Sequence, residues 1–136
     1  MSYFLAKTEP ATYSLADLAR DKQTTWDGVR NAQALRAIRA IKKGDIVLIY
    51  HSGGVSSIVG WAMAVSDARP DPKDEKLAVA DLQFGGEFDE PTTLADVKTS
   101  GMFPNFALVR QSRLSTMEAP EEFIDWLRAR HPKAKF

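Results

Sequence analysis

Residues 45–66 read Asp45-Ile-Val-Leu-Ile-Tyr50, then His51-Ser-Gly-Gly54, then, after Val55-Ser56, Ser57-Ile-Val-Gly-Trp-Ala-Met-Ala-Val-Ser66. The outer pieces are apolar runs of strand length, rich enough in apolar side chains to be covered on both faces. The glycine pair between them supplies a turn, so the stretch is expected to form a hairpin. Upstream, Asn31 fits an N-cap. After it Ala34, Leu35, Ile38 and Ile41 recur at helical spacing, Arg36, Arg39 and Lys43 fall on the other side, and Gly44 follows as a C′ residue. Further upstream, Tyr3–Ala6 reads as a strand that stops at Pro10. Ser14 caps a short helix with Asp17 at the N3-like position, Leu15 and Leu18 on one face and an end by Asp21.

Downstream of the hairpin, Arg69–Lys73 reads as an irregular loop with two prolines, and Leu77–Phe84 as a strand ended by Gly85-Gly86. Thr92 or Thr93 opens a short helix over Thr93–Lys98, and Gly101–Asn105 breaks the chain again. Leu114–Met117 is a short strand. Ala119–Arg130 is the last helix, with Pro120 in its first turn and Phe123, Ile124 and Leu127 as its apolar face. The expected order, β-α-α-β-β-β-α-β-α, mixes hairpins with helices and points to an α+β fold in which helices close a curled sheet. Gaps are short throughout, so residues 1–136 are expected to form a single domain.

Composition narrows the function. The chain has 136 residues, 44% apolar and 26% charged, ordinary for one globular domain and enough for a true core. It has no cysteine, which excludes disulfides, thiol nucleophiles and thiolate metal sites. With two histidines 80 positions apart, His51 and His131, no metal site and no cofactor are expected. The apolar runs near Ile46–Tyr50 and Ile58–Val65 fall far short of the ~20 residues that span a bilayer, so no membrane partner is expected. MSYFLAKTEP lacks the basic and apolar regions of a signal peptide, which suggests a cytoplasmic protein. Net charge is zero, with 18 basic and 18 acidic residues. The balance hides an asymmetry: Gly28–Lys43 holds Arg30, Arg36, Arg39, Lys42 and Lys43 with no acid, whereas Asp71–Asp96 is strongly acidic. The basic stretch is either a solvated helix face or a phosphate contact.

Motifs for nucleotide-binding loops, the serine nucleophile elbow, zinc hydrolases and EF-hands are absent. No catalytic residue is assigned, and Ser52, Ser56 and Ser57 beside His51 do not by themselves make a triad. What remains is a set of polar and aromatic residues at strand ends: Lys7-Thr8-Glu9, Trp26-Asp27-Gly28-Val29-Arg30-Asn31 and Tyr50-His51-Ser52. Singly they read as a surface ion pair, a plug and a cap. Together they supply a π surface, amide and hydroxyl groups and a cation, the parts that hold an extruded base.

These segments, with Tyr13-Ser14, Asp17-Leu18, Gln33-Ala34, Lys43-Gly44-Asp45, Ile58-Val59-Gly60, Pro70-Asp71, Ala107–Ser115, Met117 and the helix around Trp126, resemble the EVE domain family of the PUA-like superfamily. The resemblance spans about residues 3–128. It implies a small mixed β-barrel flanked by helices, with a pocket at one end. It further implies a non-enzymatic module that reads a modified cytosine or adenine in DNA or RNA, as the similar YTH domains hold methylated adenine. By motif the pocket would be lined by Lys7, Trp26, Val29, Arg30, Asn31, Tyr50, His51, Ser52 and Met117. Trp26 would stack, Asn31 and Ser52 would read base edges, and Ser115 would lie nearby. Arg36, Arg39, Lys43 and Arg113 are the candidates for phosphate contact.

Two positions depart from the family pattern: Met63 stands where an acid is common, and Leu77 where a tryptophan is. Trp61 would restore an aromatic wall if it lined the pocket, and is otherwise core. The alternative function is amidohydrolysis of a modified nucleoside, as in the related ASCH group, with Lys7, Thr8 and Glu9 as the working set. Three neighbours in an extended strand cannot all face one way, which weighs against that set.

Overall fold

The computed structural model describes residues 1–136. In chain order the elements are β1 (Tyr3–Thr8), α1 (Leu15–Asp21), β2 (Gln23–Trp26), α2 (Ala32–Ala40), β3 (Ile46–His51) and β4 (Ser57–Ala64). They continue with β5 (Arg69–Asp71), β6 (Asp74–Thr93), α3 (Leu94–Ser100), α4 (Ala107–Arg110), β7 (Thr116–Glu118) and α5 (Glu121–Arg130). The expected hairpin is β3–β4, antiparallel from Ile46 opposite Met63 to His51 opposite Ser57. It sits inside a seven-stranded sheet of order β2-β6-β4-β3-β1-β7, with β5 paired to β6. All pairings are antiparallel except β1 with β3, which run parallel from Tyr3/Ile46 to Thr8/His51.

The α+β class is as expected, but the sheet is not closed into a barrel. Its end strands, β2 and β7, do not hydrogen-bond to each other. They are four and three residues long, too short to complete a ring. Instead α2 packs against both β6 and β7, and side chains bridge the gap that a ladder would have filled. Ala34, Leu35 and Ile38, part of the apolar stripe read from the sequence, are buried in it together with Ala37. Phe4, Leu5, Val47, Leu48 and Ile49 are all but fully buried, so the central strands are covered on both faces. No helix is long and apolar enough to cross a membrane.

The caps follow local chemistry. Ser14 accepts from the Asp17 N–H while the Asp17 carboxylate accepts from the Ser14 N–H, a capping box, and Thr93 and Asp96 make the same pair on α3. Asp45, 5% exposed, accepts from the Ser2 and Lys42 N–H groups at 2.9 Å each and so fixes the start of β3 against the chain's beginning. The α2 helix ends earlier than its periodicity suggested: Ile41 is the C-cap, and Gly44 instead forms the turn into β3.

Four further readings are corrected. Arg69–Asp71 is a strand, because Arg69 and Pro70 pair with Val79 and Ala78 and the turn is closed by Asp71 opposite Asp74. Pro120 is the N-cap of α5 rather than a residue of its first turn. The sequence reading passed over β2 and α4 altogether. Gly85-Gly86 does not end β6, which runs on to Thr93. The glycines are there because the Trp61 indole lies flat across them. A Cβ on Gly86 would fall among the ring atoms, nearest Cη2 and 2.5 Å from Cζ2, and one on Gly85 would lie 2.5 Å from Cδ1. Register shifts in the β4–β6 ladder at this point accommodate the packing.

Gly86→Ala is therefore expected to destabilise by ~1–3 kcal/mol, the usual cost of overpacking. Urea unfolding measures it, and the double variant Gly86→Ala with Trp61→Leu is expected to recover much of the loss.

Candidate functional site

The parallel β1–β3 ladder sets Lys7 beside Tyr50 and Thr8 beside His51. The Lys7 ammonium lies 5.3 Å from the Tyr50 ring centroid and donates to the Ser112 carbonyl at 3.0 Å. Desolvation holds its pKa below the ordinary lysine value. Tyr50 is buried, so its ring is a fixed support for the cation. Ser52 prolongs the rung, its N–H and hydroxyl both directed to the Thr8 carbonyl at 3.0 and 3.3 Å. Thr8 turns its own hydroxyl to the Tyr13 carbonyl, 2.6 Å away.

His51 has a structural task. Its Nε2 accepts from the Leu15 N–H, in the first turn of α1, at 3.0 Å, so the neutral ring carries its proton on Nδ1. Burial pulls its pKa below the ordinary histidine value, against the opposing pull of Glu9 and Glu87. The ring anchors α1, and the nitrogen a general base would use is occupied.

Trp26 ends β2, opposite Ala80. It is half-buried, and Tyr13 meets it edge-on at 6.4 Å between centroids. The loop to α2 needs a positive φ at Gly28, 78°, which a residue with a Cβ rarely adopts. Val29, 8% exposed, pins the loop to the core, while Arg30 is left in solvent. Asn31 caps α2 by accepting from the Gln33 and Ala34 N–H groups at 2.9 and 3.1 Å. Its amide oxygen is thereby engaged, which leaves only its NH2 group to meet a ligand. Asn31 also lines a recess of about 310 Å3 with Gln33 and residues 110–114. The Ser112 of that recess is the residue whose carbonyl holds Lys7. Lys7, Tyr50, Ser52 and Asn31 are thus linked through the 110–114 turn, with Arg113 on its rim and Tyr13 connecting Thr8 to Trp26.

The other candidates lie elsewhere. Met117 is buried opposite Leu5, inward of Lys7. Arg36 faces a groove between α2 and β7. Arg39 is tied to the carbonyl of Lys76, in β6, at 2.8 Å, and Lys43 is held by its backbone N–H to Asp67. Trp61 lines a separate cavity of about 530 Å3 formed with residues 87–91 and 130–134, which shares no residue with the Lys7 end. It packs against Phe88 and Phe136 at 5.5 and 5.6 Å. Met63 is 38% exposed, beside Ile46 and Gln83. Leu77 lies in β6 between Asp74 and Ala78, both paired with β5, and packs on the core. No group of three acidic or histidine side chains is arranged to hold a metal ion. The sequence reading missed the Ser112 carbonyl, a backbone group with no side-chain signature. It also missed the Tyr13 ring, for which an aromatic just before the Ser14 cap of α1 was the available signal.

The fold agrees with what comparison finds. The EVE domain model matches residues 2–130, and the chain belongs to the EVE domain family. It is 31% identical to human thymocyte nuclear protein 1 over 162 aligned positions, covering 93% of this chain and 72% of the human protein. Among solved structures, an NMR structure of a protein from Rhodopseudomonas palustris superposes with a TM-score of 0.91 at 30% identity, covering 100% of this chain and 97% of the other. The human THYN1 protein, crystallised in complex with 5-methylcytosine-containing DNA, superposes with a TM-score of 0.88 at 26% identity, covering 99% of this chain and all of that one.

Both histidines have depressed pKa values, His131 by burial first and by Arg130 second. An unfolded chain would regain a value near 6.5. Protons then bind the unfolded state first as pH falls below about 6.5, so the stability present above that pH is lost on acidification. The melting temperature is expected to drop from pH 7 to pH 5, above the range where the carboxylates titrate. His51→Gln, which keeps an acceptor for Leu15, is expected to remove part of that drop in a calorimetric pH series.

Proposed function

We propose that this domain, residues 1–136, binds a modified nucleobase extruded from a DNA or RNA strand and does not chemically alter it. The observation that carries this reading is the Lys7–Tyr50 rung joined through Ser112 to the Trp26–Asn31 loop. It occurs on a fold shared, over its whole length, with a relative crystallised on 5-methylcytosine-containing DNA. In the proposed site Trp26 stacks on the base, and the Asn31 NH2 and Ser52 hydroxyl meet its polar edge. Lys7, with Arg30 or Arg113, meets a carbonyl or phosphate. Val29 holds the loop, while Tyr50 and His51 position the lysine and α1. The base is a modified cytosine or adenine, and 5-methylcytosine is the first to test.

The absence of turnover is supported by the way the nominal catalytic groups are committed. The Thr8 hydroxyl is bonded to Tyr13, Lys7 to Ser112 and His51 Nε2 to Leu15. Thr8 and Lys7 therefore send their polar ends to different partners, as alternation along a strand requires. This does not suit a Lys-Thr-Glu amidohydrolase set.

Calorimetric titration with 5-methylcytosine, N6-methyladenine and N4-acetylcytosine, as nucleosides and in short oligonucleotides, tests the reading. Saturable binding that depends on the modification is expected, and Trp26→Ala is expected to lose ~1–3 kcal/mol of it. Equal affinity for unmodified controls, or a folded Trp26→Ala protein that binds as before, would contradict it. Release of acetate from the acetylated nucleoside would make the protein an enzyme.

A further inference from the structure

We infer that the groove between α2 and β7 is a second nucleoside subsite, which takes the nucleotide next to the extruded base. The inference rests on the base-binding reading above. The groove, about 400 Å3, exists because α2 closes the open sheet with side chains rather than with a ladder. It shares Gln33 and Leu114 with the recess at Asn31 and Ser112, so the two run into one another and lead away from Lys7. Its floor is apolar: Leu114 and Met117 line it and are 5% and 3% exposed.

One polar atom there has no partner. Thr116 lines the groove and is 1% exposed, and its Oγ1 is the chain's one buried side-chain oxygen or nitrogen without a hydrogen bond. Native interiors rarely leave such a group unpaired. A rotation about χ1 would bring this solvent-closed oxygen to a ligand seated on the apolar floor, which would then complete it. The rim carries complementary groups. Gln33 and Glu118 can accept from an exocyclic amine, and the Gln33 amide can also donate. The ion pairs of the chain engage Arg20, Arg69 and Arg130, which leaves Arg36 in the groove and Arg113 in the adjoining recess free for phosphate. An apolar floor, donors and acceptors for a base edge and free guanidinium groups along one line together suit a nucleotide in a single strand. Arg39 and Lys43 lie off this line, so the strand follows Arg113 and Arg36 instead.

The test uses the intact protein, the free 5-methylcytidine nucleoside and single-stranded trinucleotides carrying 5-methylcytosine, with either flanking base replaced by an abasic unit. The intact trinucleotide is expected to bind more tightly than the nucleoside, and one abasic substitution is expected to remove most of that gain. Thr116→Val keeps the side-chain shape. It is expected to raise the melting temperature, leave nucleoside affinity unchanged and weaken trinucleotide binding about fivefold, the usual worth of one hydrogen bond. Arg36→Gln, on the surface and safe for folding, is expected to lower the slope of log affinity against log salt by about 0.7. The subsite is overturned if nucleoside and trinucleotide bind alike. It is also overturned if both abasic forms bind as the intact one does, or if Thr116→Val leaves trinucleotide affinity unchanged, in which case water alone satisfies the hydroxyl. Failure of both ligands to bind would overturn the base-binding reading and the subsite with it, whereas nucleoside binding without a flank effect removes only the subsite.

Discussion

The parallel pairing of β1 with β3 is the constraint on which the rest of the molecule depends. Parallel neighbours cannot be joined by a tight turn, so the chain must leave the sheet and return. Here the connection runs from Glu9 to Asp45 and contains α1, β2 and α2. That excursion contributes the Trp26–Asn31 loop, and the ladder itself sets Lys7 level with Tyr50. Both come from a single topological choice. A shift of one residue between β1 and β3 would turn Lys7 to the other face and break the rung.

The short terminal strands decide the shape around that rung. Because β2 and β7 cannot close the sheet, α2 lies across the opening, and its two sides meet different partners. On one side Arg39 is bonded to the carbonyl of Lys76 in β6; on the other Arg36 faces the groove along β7. A helix that looked uniformly basic in sequence is therefore divided, with only one side turned toward the 110–114 turn. That turn in turn holds Lys7 through a backbone carbonyl. The lysine is stationed by the ring beneath it and the carbonyl beside it, with no carboxylate neutralising its charge.

Much of this was legible in the residues. DIVLIY and SIVGWAMA could only be covered strands, Ser14-x-x-Asp17 announced a capping box, and Asn31 began a helix whose apolar stripe faces the core. The polar residues at strand ends marked the candidate site. What escaped were features set by tertiary pairing. Gln23–Trp26 has no apolar alternation and is a strand only because the distant Ala80–Gln83 stretch of β6 pairs with it. Gly85-Gly86 read as a stop because the indole that requires them is 24 residues away, at Trp61. Sheet closure is likewise invisible locally, since it depends on the lengths of strands at opposite ends of the chain. Nor could sequence show that Thr8 and His51 each spend a polar atom on the fold, which limits what they offer a ligand.

The central claim is that one end of the sheet, where Lys7, the Trp26–Asn31 loop and Tyr50–Ser52 meet, receives the modified base. Amide chemical-shift mapping tests it most directly, with a single-stranded oligonucleotide carrying one 5-methylcytosine titrated into labelled protein beside its unmodified twin. Modification-dependent shifts at Lys7, Trp26–Asn31, Tyr50–Ser52 and the 110–114 turn are predicted, with residues around Trp61 and His131 undisturbed. Shifts confined to the Trp61 cavity, or identical for both oligonucleotides, would contradict the account.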